Sequence, residues 1–179
     1  MKRPQPFRSL LLLAALGIAA TAAAREGAHS HGLVRLNVAI DAKTLTVQLE
    51  APLDSLLGFE HRPRTAAQKQ ASDALLKQMN DGTTLIRPEG AASCKPTKVT
   101  VESEVLQSAK PAGGKEEKHA DLDASFEFNC EQPDKLTSIE IGFFDAFKRI
   151  QKIEVKVAGP KGQSKQTLTR PDKILRLSR

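Results

Sequence analysis

The chain has 179 residues, 27 Lys and Arg against 21 Asp and Glu, a formal charge of +6, and no tryptophan or tyrosine. That length accommodates one domain with a real core. The small charge excess and the absence of indole and phenol rings argue against a nucleic-acid surface with aromatic stacking platforms.

Residues 1–24 place Lys2, Arg3 and Arg8 before an apolar stretch from Leu10 to Ala20 and end on Thr21-Ala-Ala-Ala24. This is the three-part pattern of a secretory signal, and the apolar stretch is too short to span a bilayer. Cleavage after Ala24 leaves one domain, residues 25–179, with 24 basic and 21 acidic residues and a charge of +3. No lipobox cysteine follows the apolar stretch, so no membrane span or anchor is expected after cleavage.

Two alternating stretches follow. Val34, Leu36, Val38 and Ile40 alternate with Arg35 and Asn37, and Leu45, Val47, Leu49 and Ala51 alternate with Thr46, Gln48 and Glu50. Both read as half-buried strands. A hairpin turning at Asp41-Ala42-Lys43-Thr44 buries both apolar sets if paired positions sum to 85, so that Ile40 faces Leu45 and Val34 faces Ala51. Extended outward, that register sets His31 opposite Asp54 and His29 near Leu56, with Glu60 and His61 a few residues on. Three or four imidazole nitrogens and carboxylate oxygens about 2 Å from an ion make a zinc site. His29, His31 and His61 with Asp54 or Glu60 supply such a set. The alternative is a frayed N-terminal segment and a solvent-facing His61.

Thr65 to Met79 is rich in Ala, Gln, Lys and Leu, with Pro63 before it and Asn80-Asp-Gly82 after it, and predicts a helix over 65–79. Its expected apolar stripe is Ala67, Ala71, Ala74, Leu75 and Met79. A second hairpin is expected from Val99, Val101 and Val105 alternating with Thr100, Glu102 and Glu104, and from Leu122, Ala124, Phe126 and Phe128 alternating with Asp121, Asp123, Ser125 and Glu127. Pairing across the loop from Gln107 to Lys118 gives a sum near 225, which opposes Glu104 to Asp121 and Glu102 to Asp123 close to His119. Like charges so placed cost stability unless a cation compensates, which makes His119, Asp121 and Asp123 a second candidate metal site. A solvated face relieved by Lys115 and Lys118 is the alternative.

Cys94 and Cys130 sum to 224 and so fall at one end of this hairpin, where an oxidising compartment would join them. A thiolate metal pair or redox couple would call for the closer Cys-x-x-Cys spacing. Further strands are expected over 137–141, 153–157, 164–169 and 174–177, with a helical turn over 143–150 from the spacing of Phe143, Phe144, Phe147 and Ile150. Repeated strands with one main helix predict a mainly β fold, an antiparallel β-sandwich of seven or eight strands, with an α+β layer as the alternative.

The run His29-Ser-His31-Gly32, then Leu36 to Asp41, Glu50-Ala-Pro-Leu-Asp54, Leu57-Gly-Phe-Glu-His61 and Pro63-Arg-Thr resembles the ZrgA-like family of zinc-regulated periplasmic proteins. Cys94, the stretch from His119 to Cys130, and Phe143-Phe-Asp-Ala-Phe147 are similar to its later segments. The resemblance implies a periplasmic protein that binds zinc and assists its acquisition under zinc limitation. Its implied partners are a divalent metal ion and a periplasmic or inner-membrane metal-uptake component. Where such proteins often carry a His-rich loop, this chain has Ala109 to Lys118 instead.

No nucleophile elbow, phosphate-binding glycine loop or His-Glu-x-x-His motif is present, and no enzyme activity is expected. Two further readings stand beside zinc: Cu(II), which an imidazole and carboxylate site binds at least as well, and a metal-independent interaction module of the envelope.

Overall fold

The computed structural model describes residues 31–107 and 120–177. The expected leader over residues 1–24, His29 and His119 lie outside them.

The first hairpin forms as its pattern requires. Strand β1 (Leu33–Asp41) and strand β2 (Thr44–Pro52) pair antiparallel, with Ile40 opposite Leu45 and Leu36 opposite Leu49. The two-residue turn places Ala42 at φ 49°, the left-handed region that tight hairpin turns demand. Past Pro52 the chain leaves the strand and coils into helix α1 (Leu53–Leu57), which the sequence pattern does not announce. Gly58, at φ 84°, ends it by donating its N–H to the Asp54 carbonyl.

Helix α2 (Ala66–Asp81) begins at a capping box: Thr65 Oγ1 accepts from the Gln68 N–H, and Gln68 Oε1 accepts from the Thr65 N–H. Its buried face is Ser72, Leu75 and Met79, which keeps the expected Leu75 and Met79 but not the three alanines of the expected stripe. Ala67, Ala71 and Ala74 are exposed. The larger side chains determine which face turns inward, since burying Leu or Met removes far more apolar area from water than burying Ala.

Strand β3 (Ile86–Pro88) and a short turn at Gly90–Ala92 lead into strand β4 (Cys94–Glu102), which pairs with strand β5 (Asp121–Cys130). Both sums read from the sequence are present. Pairs from Lys98–Glu127 to Glu102–Asp123 sum to 225, pairs from Cys94–Cys130 to Pro96–Phe128 sum to 224, and a bulge between Pro96 and Lys98 reconciles them. Cys94 and Cys130 form a disulfide. The expected Glu104–Asp121 pair does not form in the ladder, because Glu104 opens helix α3 (Glu104–Gln107), from which Val105 is buried.

The remaining elements are strand β6 (Ser138–Ile141), helix α4 (Phe143–Ala146), and strands β7 (Lys152–Gly159), β8 (Gly162–Thr169) and β9 (Ile174–Arg176). A six-stranded sheet runs β4-β5-β2-β1-β7-β8 and a three-stranded sheet runs β3-β6-β9, the two sheets of a mainly β, sandwich-like fold. All pairings are antiparallel except one: β1 and β7 run parallel, with Leu33 opposite Lys152. One apolar cluster joins the inner face of the large sheet to the small sheet, α2 and the Phe143, Phe144, Phe147 and Ile150 group. The outer face of the large sheet is polar, as expected for a sheet covered on one side.

The parallel pair brings two distant parts of the chain to one edge of the fold. Because β1 and β7 start at the same end, the residues preceding them, His31-Gly32 and Arg149 to Gln151, are neighbours. The N–H groups of Gln151 and Lys152 both donate to the Gly32 carbonyl, at 2.8 and 3.0 Å. Arg170 braces the same segment. It donates to the Ile150 and Phe147 carbonyls at 3.1 and 3.0 Å, and its guanidinium lies 5.1 Å from the Phe144 ring centre.

Candidate metal centre

Three segments meet beside the start of β1: residues 31–32, α1 with its following loop, and residues 149–151. The buried Ser55 hydroxyl accepts from the Gly32 N–H at 2.9 Å and ties the first two together. Adding a Cβ to Gly32, at φ 78°, would bring it within 3.0 Å of the Arg149 carbonyl, and one on Gly58 would touch the Arg149 guanidinium at 3.4 Å. Gly32 lets the Arg149 segment approach closely, while Gly58 is called for by its left-handed backbone.

The structure brings His31, Asp54 and Glu60 together. His31 Nδ1 lies 2.9 Å from Asp54 Oδ2 and 3.9 Å from Glu60 Oε1. The sequence register placed His31 beside Asp54, but the contact is made differently, with Asp54 in the first turn of α1 and not in a strand extension. A carboxylate oxygen accepts, so His31 donates its Nδ1 proton and keeps the Nε2 lone pair. The His31 side chain is 69% exposed and that of Asp54 only 14%: the carboxylate is held in the fold while the ring reaches water.

His61 shows the same division of labour. Its Nδ1 donates to the Arg62 carbonyl at 2.8 Å, and its ring stacks on Phe59 with centres 5.2 Å apart. Its Nε2 lone pair is likewise left over from these contacts.

Among the described residues, no group of three or more His, Cys, Asp or Glu side chains stands close enough to hold a metal ion. His61 is one residue from Glu60 in the chain, but no contact joins it to His31. His29, the remaining member of the expected set, lies outside the described residues. In the two described histidines Nδ1 faces an oxygen acceptor, and Glu60 stands near His31; imidazole and carboxylate are donor types that zinc takes, and an oxygen acceptor at the other ring nitrogen is usual for zinc-binding histidines.

The sequence pattern gives no sign of Arg149. Its Nη2 donates to Asp54 Oδ1 at 2.9 Å and its Nε to the Asp54 carbonyl at 2.8 Å. Lys148-Arg149 is an ordinary basic pair in the sequence. Only the parallel placement of β7 against β1 brings it to Asp54, and the local pattern of β7 does not specify its neighbour.

The second candidate site lies on the outer face of the large sheet. Glu50, Asp123 and Glu102 occupy facing positions on β2, β5 and β4 and line a shallow depression of about 300 Å³. Arg35 Nη1 pairs with Glu50 Oε1 at 3.0 Å. Asp123 has its carboxyl pushed above the usual range, first by partial withdrawal from water between the flanking strands and then by Glu50, Asp121 and Glu102. The imidazole expected there, His119, lies outside the described residues.

A family model for the ZrgA family zinc uptake protein matches residues 28–177, which span every strand and helix of the fold. The chain belongs to the ZrgA family. No curated protein matches it. As a ZrgA family member it is placed among zinc uptake proteins, and no helix among the described residues is long and apolar enough to cross a membrane.

Proposed function

We propose that this ZrgA family protein is exported to the periplasm and binds zinc there as an accessory to zinc acquisition under zinc limitation, without enzymatic activity. Zinc is held by His31 and His61 through Nε2, with His29 as the third imidazole and Glu60 completing the set. The observation carrying this reading is the pairing of each described imidazole with an oxygen acceptor at Nδ1, which fixes the tautomer that presents Nε2 to a metal. The leader pattern of residues 1–24 and the disulfide support export to an oxidising compartment. The expected partner beyond the metal is a component of a periplasmic or inner-membrane uptake system.

Calorimetric titration of the leader-free protein with zinc tests the reading. The H29A/H31A protein and the H61A protein should each bind zinc at least about ten-fold more weakly, with folding intact because His31 and His61 are not part of the buried core. Undiminished affinity in both would refute the assignment. A parallel titration with Cu(II) determines whether copper, which favours the same donors, is the better-retained metal. Absence of binding by either ion in the unmutated protein would leave the envelope interaction module as the surviving reading.

A further inference from the structure

Both carboxylate oxygens of Asp54 are engaged, Oδ2 by His31 and Oδ1 by Arg149, and the Arg149 guanidinium also grips the main-chain carbonyl of the same residue. Resting on the zinc-binding reading, we propose that Arg149 is a positioning residue for the metal site. It clamps Asp54, and Asp54 fixes the tautomer and direction of the His31 ring, so that Asp54 stands behind the ligand and does not bind the metal itself.

The geometry is that of a carboxylate–histidine pair awaiting a metal at Nε2. Asp54 is the more withdrawn partner of that pair, and each of its oxygens already holds a charged or polar donor, whereas the exposed His31 ring carries its far nitrogen out to water. The clamp also needs arginine. Two donors of one planar fork reach Oδ1 and the main-chain oxygen together, whereas an ammonium is a point donor. The backbone around Arg149 is set from two sides, by the Gly32 carbonyl accepting from Gln151 and Lys152 and by Arg170 holding the carbonyls of Phe147 and Ile150. Gly32 leaves room for the Arg149 carbonyl. An incidental surface ion pair needs no such support.

A cation beside a metal site has two opposed effects. Pure charge repulsion predicts tighter zinc binding when Arg149 is neutralised; positioning predicts weaker binding. The test compares the leader-free wild type with R149Q, R149K, D54A and R149Q/D54A by zinc calorimetry. Nitrogen NMR of the metal-free protein reports the His31 tautomer, and thermal melting monitors folding. R149Q should bind zinc about ten-fold more weakly, the lower end of the range for outer partners of metal ligands. R149K should recover only part of that loss. The double variant should be no weaker than D54A, since both changes break one chain of contacts. In R149Q the His31 ring should lose its preference for the Nδ1-protonated form. Unchanged or tighter zinc binding by R149Q, with the wild type binding zinc, would overturn the proposal and leave the zinc-binding reading standing. If the wild type binds no zinc, that reading fails by itself, and an unaltered His31 tautomer in R149Q would still overturn the clamp. Should R149Q fail to fold, R149K carries the same test, its zinc affinity expected to fall and its equality with wild type being the refuting result.

Discussion

At the end of the large sheet Asp54 meets an imidazole and a guanidinium drawn from segments far apart in the chain, whereas in the middle of the same sheet's outer face Asp123 faces Glu50 on one side and Glu102 on the other. Both places assemble carboxylates, and a count of acids and histidines along the sequence ranks them similarly. Their surroundings do not. Asp54 has its charge answered and its oxygens assigned, which suits it to orient a neighbour. Asp123 shares its setting with like charges, and its raised carboxyl is the mark of an arrangement tolerated in spite of its energy. A row of acids would welcome a cation, but a preorganised imidazole makes a more selective site, and only the first place shows one among the described residues.

The independence of the two places can be tested first by cutting the bond that anchors the acidic hairpin. The disulfide joins residues 36 apart at the far end of β4 and β5. Replacing Cys94 and Cys130 with Ala should lower the unfolding free energy by about 4 kcal/mol in the chain-entropy view of loop closure. Denaturant unfolding measures this, and unreduced native protein should show no free thiol. Zinc affinity of the variant, measured where it remains folded, should match the wild type. A drop would mean that the two places are coupled.

The next effect in size separates them as binding sites. The H31A/H61A protein should lose ten-fold or more in zinc affinity, while D121N/D123N should stay within about two-fold, as expected for changes remote from the ligands. The opposite ranking would move the metal to the acidic row with His119. Because a proton and zinc compete for the same Nε2 lone pair, occupancy should also decline on acidification.

The smallest effect concerns Asp123 alone. D123N should stabilise the fold by roughly 0.5 kcal/mol near neutral pH, the scale of a relieved cross-strand repulsion. Its pH dependence has a definite sign. A carboxyl raised in the folded state binds its proton more tightly there than in the unfolded chain, so the stability it contributes is full below the unfolded value and is lost as pH rises through the folded one. The advantage of D123N should therefore vanish in acid and grow with pH. Unfolding curves with the same difference at every pH would rule out the repulsion account. Glu140 provides the internal contrast. Hydrogen bonds from Arg87 and Lys173 hold it down to about 2, so its contribution is present above the ordinary glutamate range and fades as pH falls toward that value.

The hairpins are legible in the sequence because a period of two with one buried face fixes the parity of the register and a short turn then selects the register itself. The bulge between Pro96 and Lys98 is not, because the sequence gives the second hairpin's sum only as near 225. The His31–Asp54 contact is also legible, although the helical turn that carries Asp54 is not: Leu53 to Leu57 is too short to show a helical period, and it is set by Ser55 reaching Gly32 and by the left-handed Gly58. The alanines of α2 mislead because propensity favours alanine in helices without saying which way it faces. Arg149 is illegible for a different reason. Alternation within β7 shows that one face is buried but not which strand lies beside it, and it does not show that the two run parallel.

That parallel pairing bears on when, in folding, this end of the large sheet is completed. The β1–β2 hairpin is local and can close within microseconds once both strands are available. Setting β1 against β7 joins positions roughly 120 residues apart, the kind of non-local contact that comes late and slowly. A folding chain can therefore close the hairpin that follows His31 before Arg149 is brought to Asp54. Fragments cut between the two would keep the imidazole without its brace, so the contacts that Asp54 makes to both side chains are a property of the whole fold.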